Sequence, residues 1–186
     1  MQTHDLMTAI VNDLSQTLQQ VDAGQIESLE SAILNAKRIF VAGKGRTGLQ
    51  MKAFAMRLMH LGLTVYVVDE VTTPGIQAGD LLIIGTGSGR TASLIRYTET
   101  VQKYGASLAT ITGNQSSPIA ESADVVVYIP ASNFKSGQAD TTQSVLVMGS
   151  LFEHVLGLLC DLMVIQLKQA LDQSEDAMNA RHANLE

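Results

Sequence analysis

The sequence predicts an α/β protein, a three-layer αβα sandwich around a central, mostly parallel five-stranded sheet. Short apolar runs of strand length alternate with stretches of helical period, the pattern of βαβ units. The runs Leu81 to Ile84 and Val125 to Val127 lack polar alternation, as strands covered on both faces do. Two of the runs end in glycine-rich turns that lead into helices: Gly43-Lys44-Gly45-Arg46-Thr47-Gly48 and Gly85-Thr86-Gly87-Ser88-Gly89-Arg90-Thr91.

The elements follow in order. Leu6, Ile10, Leu14 and Leu18 recur at four-residue spacing and predict an amphipathic helix over about 6–21. Ile26, Leu29, Ile33 and Leu34 predict a second over about 25–35. Then come a strand at 38–42, a helix at 46–61, strands at 64–68 and 81–84, and a helix at 91–104. A strand at 107–111, a short helix at 117–122 and a strand at 124–129 complete the sheet. The polar, unpatterned stretch 132–143 predicts a loop, and at that length a functional one or a lid. A long helix near 144–170, apolar nearly all round, and a helical tail end the chain; that helix is expected to be buried deep in one subunit or between subunits. One domain is expected over 1–186, with N-terminal helices over about 3–36 and the long helix plus tail over about 144–186.

Composition excludes several classes. With 46% apolar residues in 186, the chain can bury an ordinary core. A net charge of −6, with no Lys/Arg run longer than a pair, offers no footprint for nucleic acid. The stretch from Val145 to Leu167 is long enough to suggest a membrane span, but Glu153, His154 and Asp161 interrupt it, so a buried helix of a soluble protein is expected and no membrane partner. The N-terminus has no signal-peptide pattern, which predicts a cytoplasmic address. Cys160, the single cysteine, sits among leucines and reads as core packing.

Both glycine turns are built to hold an anion, because backbone N–H groups at a helix N-terminus point at whatever lies above the sheet. Gly43, Gly45 and Gly48 satisfy the dinucleotide fingerprint G-x-G-x-x-G, and Asp69 and Glu70 end the next strand, where a ribose would be bound. An NAD-type Rossmann oxidoreductase is therefore a competitor. The second turn points elsewhere: Thr86, Ser88 and Thr91 offer three hydroxyls, with the Gly87 backbone, to one tetrahedral dianion, and Gly45, Arg46 and Thr47 form a facing wall. The alternative is that the hydroxyls only cap the following helix.

These turns, in the strings Phe40-Val-Ala-Gly-x-Gly-Arg46-x-Gly48 and Gly79-Asp-Leu-Leu-Ile-Ile-Gly-x-Gly-Ser-Gly-x-Thr91, are joined by Lys52-Ala-Phe-Ala-Met-Arg-Leu-Met-His60, Met148-Gly-Ser-Leu-Phe-Glu153 and His182-Ala-Asn-Leu-Glu186. Together they closely resemble the 6-phospho-3-hexuloisomerases of the sugar isomerase (SIS) domain superfamily. The resemblance runs from end to end. It implies an SIS-type fold, similar to the Rossmann fold, in a cofactor-free cytoplasmic homotetramer. The implied reaction interconverts D-arabino-3-hexulose 6-phosphate and D-fructose 6-phosphate, the second step of formaldehyde fixation in the ribulose monophosphate pathway. The family usually has Ser at Thr47 and Thr86, Glu at Arg90, and Gln-Pro where Leu146-Val147 stand. Related readings are an isomerase of another phosphosugar, such as arabinose 5-phosphate, and a non-catalytic sugar-phosphate sensor.

Moving a carbonyl from C3 to C2 takes a base that carries a proton between adjacent carbons through a cis-enediol, and no metal. Glu153 projects from an apolar stripe of its helix and is the expected base; the alternative is a structural pair with an arginine such as Arg57. Arg46 is expected to hold the phosphate or polarise a substrate oxygen. Among the histidines, His4 lies in the N-terminal arm, His60 is expected to cap its helix, and His154 to pair with Asp161. His182 would by itself be a solvated terminal residue; the resemblance implies that it reaches an active site, its own or a neighbouring subunit's.

Overall fold

A computed structural model describes residues 2–131 and 144–185 of the chain. The expected loop at 132–143 lies outside the described residues. Two helices come first, α1 (Thr3–Gln19) and α2 (Ala23–Asn35), the second capped by Asp22, whose carboxylate accepts from the Gly24 N–H. Then β1 (Ile39–Ala42), α3 (Gly45–His60), β2 (Val65–Val67), β3 (Leu81–Thr86), α4 (Ala92–Tyr104), β4 (Ser107–Thr112), α5 (Pro118–Glu121) and β5 (Val125–Tyr128) alternate along the chain. The long helix α6 (Ser150–Ala170) and the short α7 (Glu175–Asn179) close it.

All five strands pair in parallel in the order β2-β1-β3-β4-β5. Side chains alternate between two cores. Ile39, Val41, Leu81, Ile83 and Ile111 face a large core built with α2, α3 and α6, whereas Phe40, Leu82, Ile84 and Leu108 face a smaller one under α4 and α5. The chain leaves β1 towards β2 on one side and returns to β3 on the other. Parallel strands of this order open a crevice beyond the carboxyl ends of β1 and β3.

Three boundaries differ from expectation. Strand β3 runs on to Thr86 because Gly85 and Thr86 pair in register with Ile111 and Thr112, so the first two residues of the second glycine turn are strand. Helix α6 starts at Ser150 and not at 144. Met148 and Gly149 hold left-handed backbone, with φ of 59° and 79°, and Asp13 of α1 accepts from Ser144 Oγ (2.6 Å) and Val145 N (3.0 Å), so the segment is pinned as a turn. The tail is mostly not helical: past α7 it is held by Arg181, whose Nη1 donates to the carbonyl oxygens of His60 (2.9 Å) and Ala177 (3.1 Å).

Among the described residues α6 alone is long and apolar enough to cross a bilayer, but its Leu151, Phe152, Val155, Leu156, Leu159, Met163 and Leu167 are spent on the large core. Cys160 belongs to the same core, and burial pushes its thiol pKa up, so it is inert packing.

Candidate active site

The crevice between β1 and β3 holds a cleft of about 360 Å³. Its first wall is Lys44, Gly45, Arg46 and Thr47, where β1 turns into α3. Its second is Gly85, Thr86, Gly87, Ser88 and Thr91, where β3 turns into α4, and Met148, Gly149, Phe152 and Glu153 close it from the start of α6. No acidic residue stands in the first turn of α3 or α4, so both helices present an uncompensated positive end to the cleft.

Glycine is required at specific points. A Cβ on Gly48 would come within 2.7 Å of the Gly43 carbonyl oxygen, so these two glycines let α3 pack directly on the turn it leaves. At Gly89, with φ of 64°, a Cβ would fall 1.9 Å from Ser117 Oγ. The fingerprint glycines thus answer a packing need that exists without any dinucleotide. The acidic pair is also engaged: Asp69 accepts from Lys44 and from Tyr97 Oη (2.7 Å), and Glu70 accepts from Lys52 Nζ (2.7 Å).

The hydroxyls of Thr86, Ser88 and Thr91 all line the second wall of the cleft. Thr86, buried, accepts from the Gly89 N–H at 3.1 Å, and Ser88 Oγ accepts from the Arg90 N–H at 3.3 Å. A hydroxyl that accepts an amide proton keeps its own O–H to donate. Thr91 stands at the N-cap of α4 in backbone terms, yet its side chain makes no capping hydrogen bond. Capping therefore does not account for it.

Glu153 enters from the first turn of α6, its side chain 15% exposed. Its partner is Arg46, with Nε 3.2 Å from Oε2, and not Arg57, whose guanidinium instead meets His60 Nδ1 at 3.3 Å. Burial raises the Glu153 pKa, and the opposing pull of Arg46, half exposed, does not cancel it. Arg46 also donates to Ser150 Oγ (3.1 Å) and lies 3.2 Å from His154 Nε2. A guanidinium only donates, so that nitrogen accepts. His154 is thus turned to Arg46, and the expected pairing with Asp161 is corrected.

Eight of the nine expected residues, Gly45, Arg46, Thr47, Thr86, Gly87, Ser88, Thr91 and Glu153, line this one cleft. The ninth, His182, does not enter the cleft of its own chain. It stacks on His60 with ring centroids 5.4 Å apart, at the far end of α3, and a helix of 16 residues is about 24 Å long. His60 is buried and does not cap its helix; Arg181 takes its carbonyl instead. Arg90 turns away from the cleft to the Ser116 carbonyl (3.3 Å), while Leu146 packs on the large core and Val147 is exposed. Sequence reasoning missed Lys44, Met148 and Phe152 as lining residues; only the first x of G-x-G-x-x-G and the string Met148 to Glu153 hinted at them.

A parallel sheet of this order, with a cleft lined by hydroxyls and glycine turns at its switch point, defines a doubly wound α/β protein. The chain belongs to the SIS domain family, whose model matches residues 32–156. It is 39% identical to the 3-hexulose-6-phosphate isomerase of Mycobacterium gastri over 97% of this chain and 89% of that one. The Bacillus subtilis (strain 168) 3-hexulose-6-phosphate isomerase is 37% identical over the full length of both. In three dimensions it superposes on a Methanococcus jannaschii protein, for which a molecular function of 3-hexulose-6-phosphate isomerase is inferred, with a TM-score of 0.83, 30% identity, and 97% and 98% of the two chains covered.

Proposed function

We propose that this chain is a sugar-phosphate isomerase that interconverts D-arabino-3-hexulose 6-phosphate and D-fructose 6-phosphate, the second step of formaldehyde fixation in the ribulose monophosphate pathway. The observation that carries it is the pairing, in one cleft, of a hydroxyl-and-amide cup with a carboxylate whose pKa burial has raised. The relatives from M. gastri and B. subtilis, alike over nearly the whole chain, support the choice of substrate.

In this reading Gly45, Thr47, Thr86, Gly87, Ser88 and Thr91 hold the 6-phosphate at the positive ends of α3 and α4. The sugar carbons then reach towards Glu153 on the opposite wall. The Glu153 carboxylate takes the proton from C2 of the 3-ketose; the C2–H electrons form the C2=C3 bond, and the C3 carbonyl π electrons move onto O3. Arg46, 3.2 Å from the same carboxylate, donates to the developing negative oxygen. A proton passes from O2 to O3, the C2 carbonyl forms, and Glu153 returns its proton to C3. No atom is gained or lost. A carboxylate raised towards neutrality suits both halves of this exchange.

The protein acts, in this proposal, as a cytoplasmic homotetramer of single SIS domains. A stripe of Leu158, Leu162 and Ile165 on α6, each 40–57% exposed, supports association through that helix. Association also gives His182 a role: placed far from its own cleft, it serves the proton exchange or ring opening in a neighbouring subunit's cleft.

The test is turnover. Purified protein given fructose 6-phosphate, together with the synthase that cleaves hexulose 6-phosphate, is expected to release formaldehyde. No release from folded protein, with thermal stabilisation by NAD(P) but not by hexose phosphates, would overturn the reading.

A further inference from the structure

Lys44 is the charged residue of the cleft that the isomerase chemistry does not use. It occupies the N-cap position of α3, lines the cleft, and also lines a neighbouring pocket of about 240 Å³ on the β2 side of the first glycine turn. Its ammonium is tied from two directions. Asp69, at the end of β2, accepts from it through Oδ2, and Tyr97 of α4 stands with its hydroxyl 3.4 Å away and its ring centroid 5.6 Å away. Tyr97 Oη in turn donates to Asp69 Oδ1 at 2.7 Å, so the three side chains form a closed ring of contacts. They join the β1–α3 turn, the end of β2 and the helix that carries Thr91.

Among the described lining residues the charged side chains are Lys44, Arg46 and Glu153. Arg46 is engaged by Glu153 within the cleft, and those two charges offset each other. The carboxylate partner of Lys44, by contrast, stands outside the lining. A ligand in the cleft therefore meets the Lys44 ammonium from the side away from Asp69, which lines the neighbouring pocket instead. Asp69 also holds a left-handed backbone, φ 78°, uncommon for a side chain other than glycine, and this conformation places its carboxylate where Lys44 and Tyr97 meet it.

We propose that Lys44 is a substrate-anchoring residue that binds the phosphate of the sugar, and that Asp69 and Tyr97 are the positioning residues that hold its ammonium in place. The proposal rests on the sugar-phosphate reading of the cleft but not on its chemistry. The hydrogen bond to Asp69 raises the Lys44 pKa above its ordinary value, so the ammonium stays charged across the neutral range. The Lys44 side chain is 40% exposed, so it reaches a ligand without first being uncovered.

The test titrates inorganic phosphate and fructose 6-phosphate into wild type, Lys44→Met, Lys44→Arg, Asp69→Asn and Tyr97→Phe, and measures turnover alongside. Asparagine tolerates left-handed backbone, so the Asp69 change removes charge without new strain. Lys44→Met is expected to weaken both ligands by roughly tenfold or more, as loss of a charged hydrogen bond does. In turnover KM rises while kcat stays within about twofold, because the contact is equal in ground and transition state. Lys44→Arg restores most of the affinity, and the Asp69 and Tyr97 variants lose less than Lys44→Met in the same direction. Phosphate and sugar-phosphate affinities unchanged in a folded Lys44→Met protein, or a loss confined to kcat, overturn the proposal. If wild type binds phosphosugars without isomerising hexulose 6-phosphate, the isomerase reading fails while the binding series still decides the role of Lys44.

Discussion

Arg46 Nε lies 3.2 Å from Glu153 Oε2, and this contact joins the first turn of α3 to the first turn of α6 across the cleft. The two residues are more than a hundred positions apart in the chain. Their meeting places a partly exposed cation against a largely buried carboxylate, and burial still prevails in setting the pKa of the acid.

A raised pKa at Glu153 ties activity to stability. Glu153→Gln is expected to lower kcat by about 10²–10⁴-fold, the usual worth of a general base, while fructose 6-phosphate still binds. The sign for stability is the reverse. The folded state holds the Glu153 proton to higher pH than the unfolded chain, so between the unfolded value near 4.5 and the raised folded value folding loses stability as pH rises. The variant is expected to melt higher than wild type at neutral pH, with the gap closing as pH falls through that window to 4.5. Thermal melts across pH check this; equal Tm differences at every pH would sink it.

His60 carries the opposite linkage. Burial, then Arg57 and His182 beside it, lowers its pKa below the ordinary 6.5, so the unfolded chain binds this proton first as pH falls. Its contribution to stability is complete above pH 6.5 and is lost as pH drops through the window between 6.5 and the lowered folded value. His60→Phe, which keeps a ring against His182, is expected to flatten that part of the Tm profile. A profile of unchanged slope would assign the acid sensitivity to other groups.

If His182 serves a neighbouring cleft, two inactive proteins can repair each other. Glu153→Gln and His182→Ala variants, each with depressed turnover, are expected to regain activity when co-expressed, because random assembly leaves about a quarter of shared sites with both native residues. Turnover no higher than the mean of the separate variants would place His182 outside the reaction.

Much of the fold was legible in the sequence because the reasons for it are local. Leu81 to Ile84 is a strand buried on both faces, and its composition says so. The hydroxyls of Thr86, Ser88 and Thr91 and the backbone of Gly45 to Thr47 lie on turns whose residue types announce an anion, and all of them line one cleft. The start of α6 was not legible. A run of Leu146, Val147 and Met148 looks helical, and only the anchor from Asp13, over 100 residues earlier, together with the left-handed pair Met148 and Gly149, holds it as a turn.

Pairings were decided by the tertiary structure alone. The alternative reading of Glu153 set it beside an arginine such as Arg57, His154 was expected beside Asp161 and His60 at its helix end, and each has another partner: Arg46 for the first two, and for His60 the Arg57 and His182 side chains. The sequence by itself determined the elements, their parallel order in kind, and the residue types at the carboxyl ends of β1 and β3. Propensity, period and turn chemistry act over a few residues. Which cation meets which carboxylate depends on how α3 and α6 pack against the same face of the sheet. That packing sums apolar contacts from the whole chain, and no stretch of the sequence carries it alone.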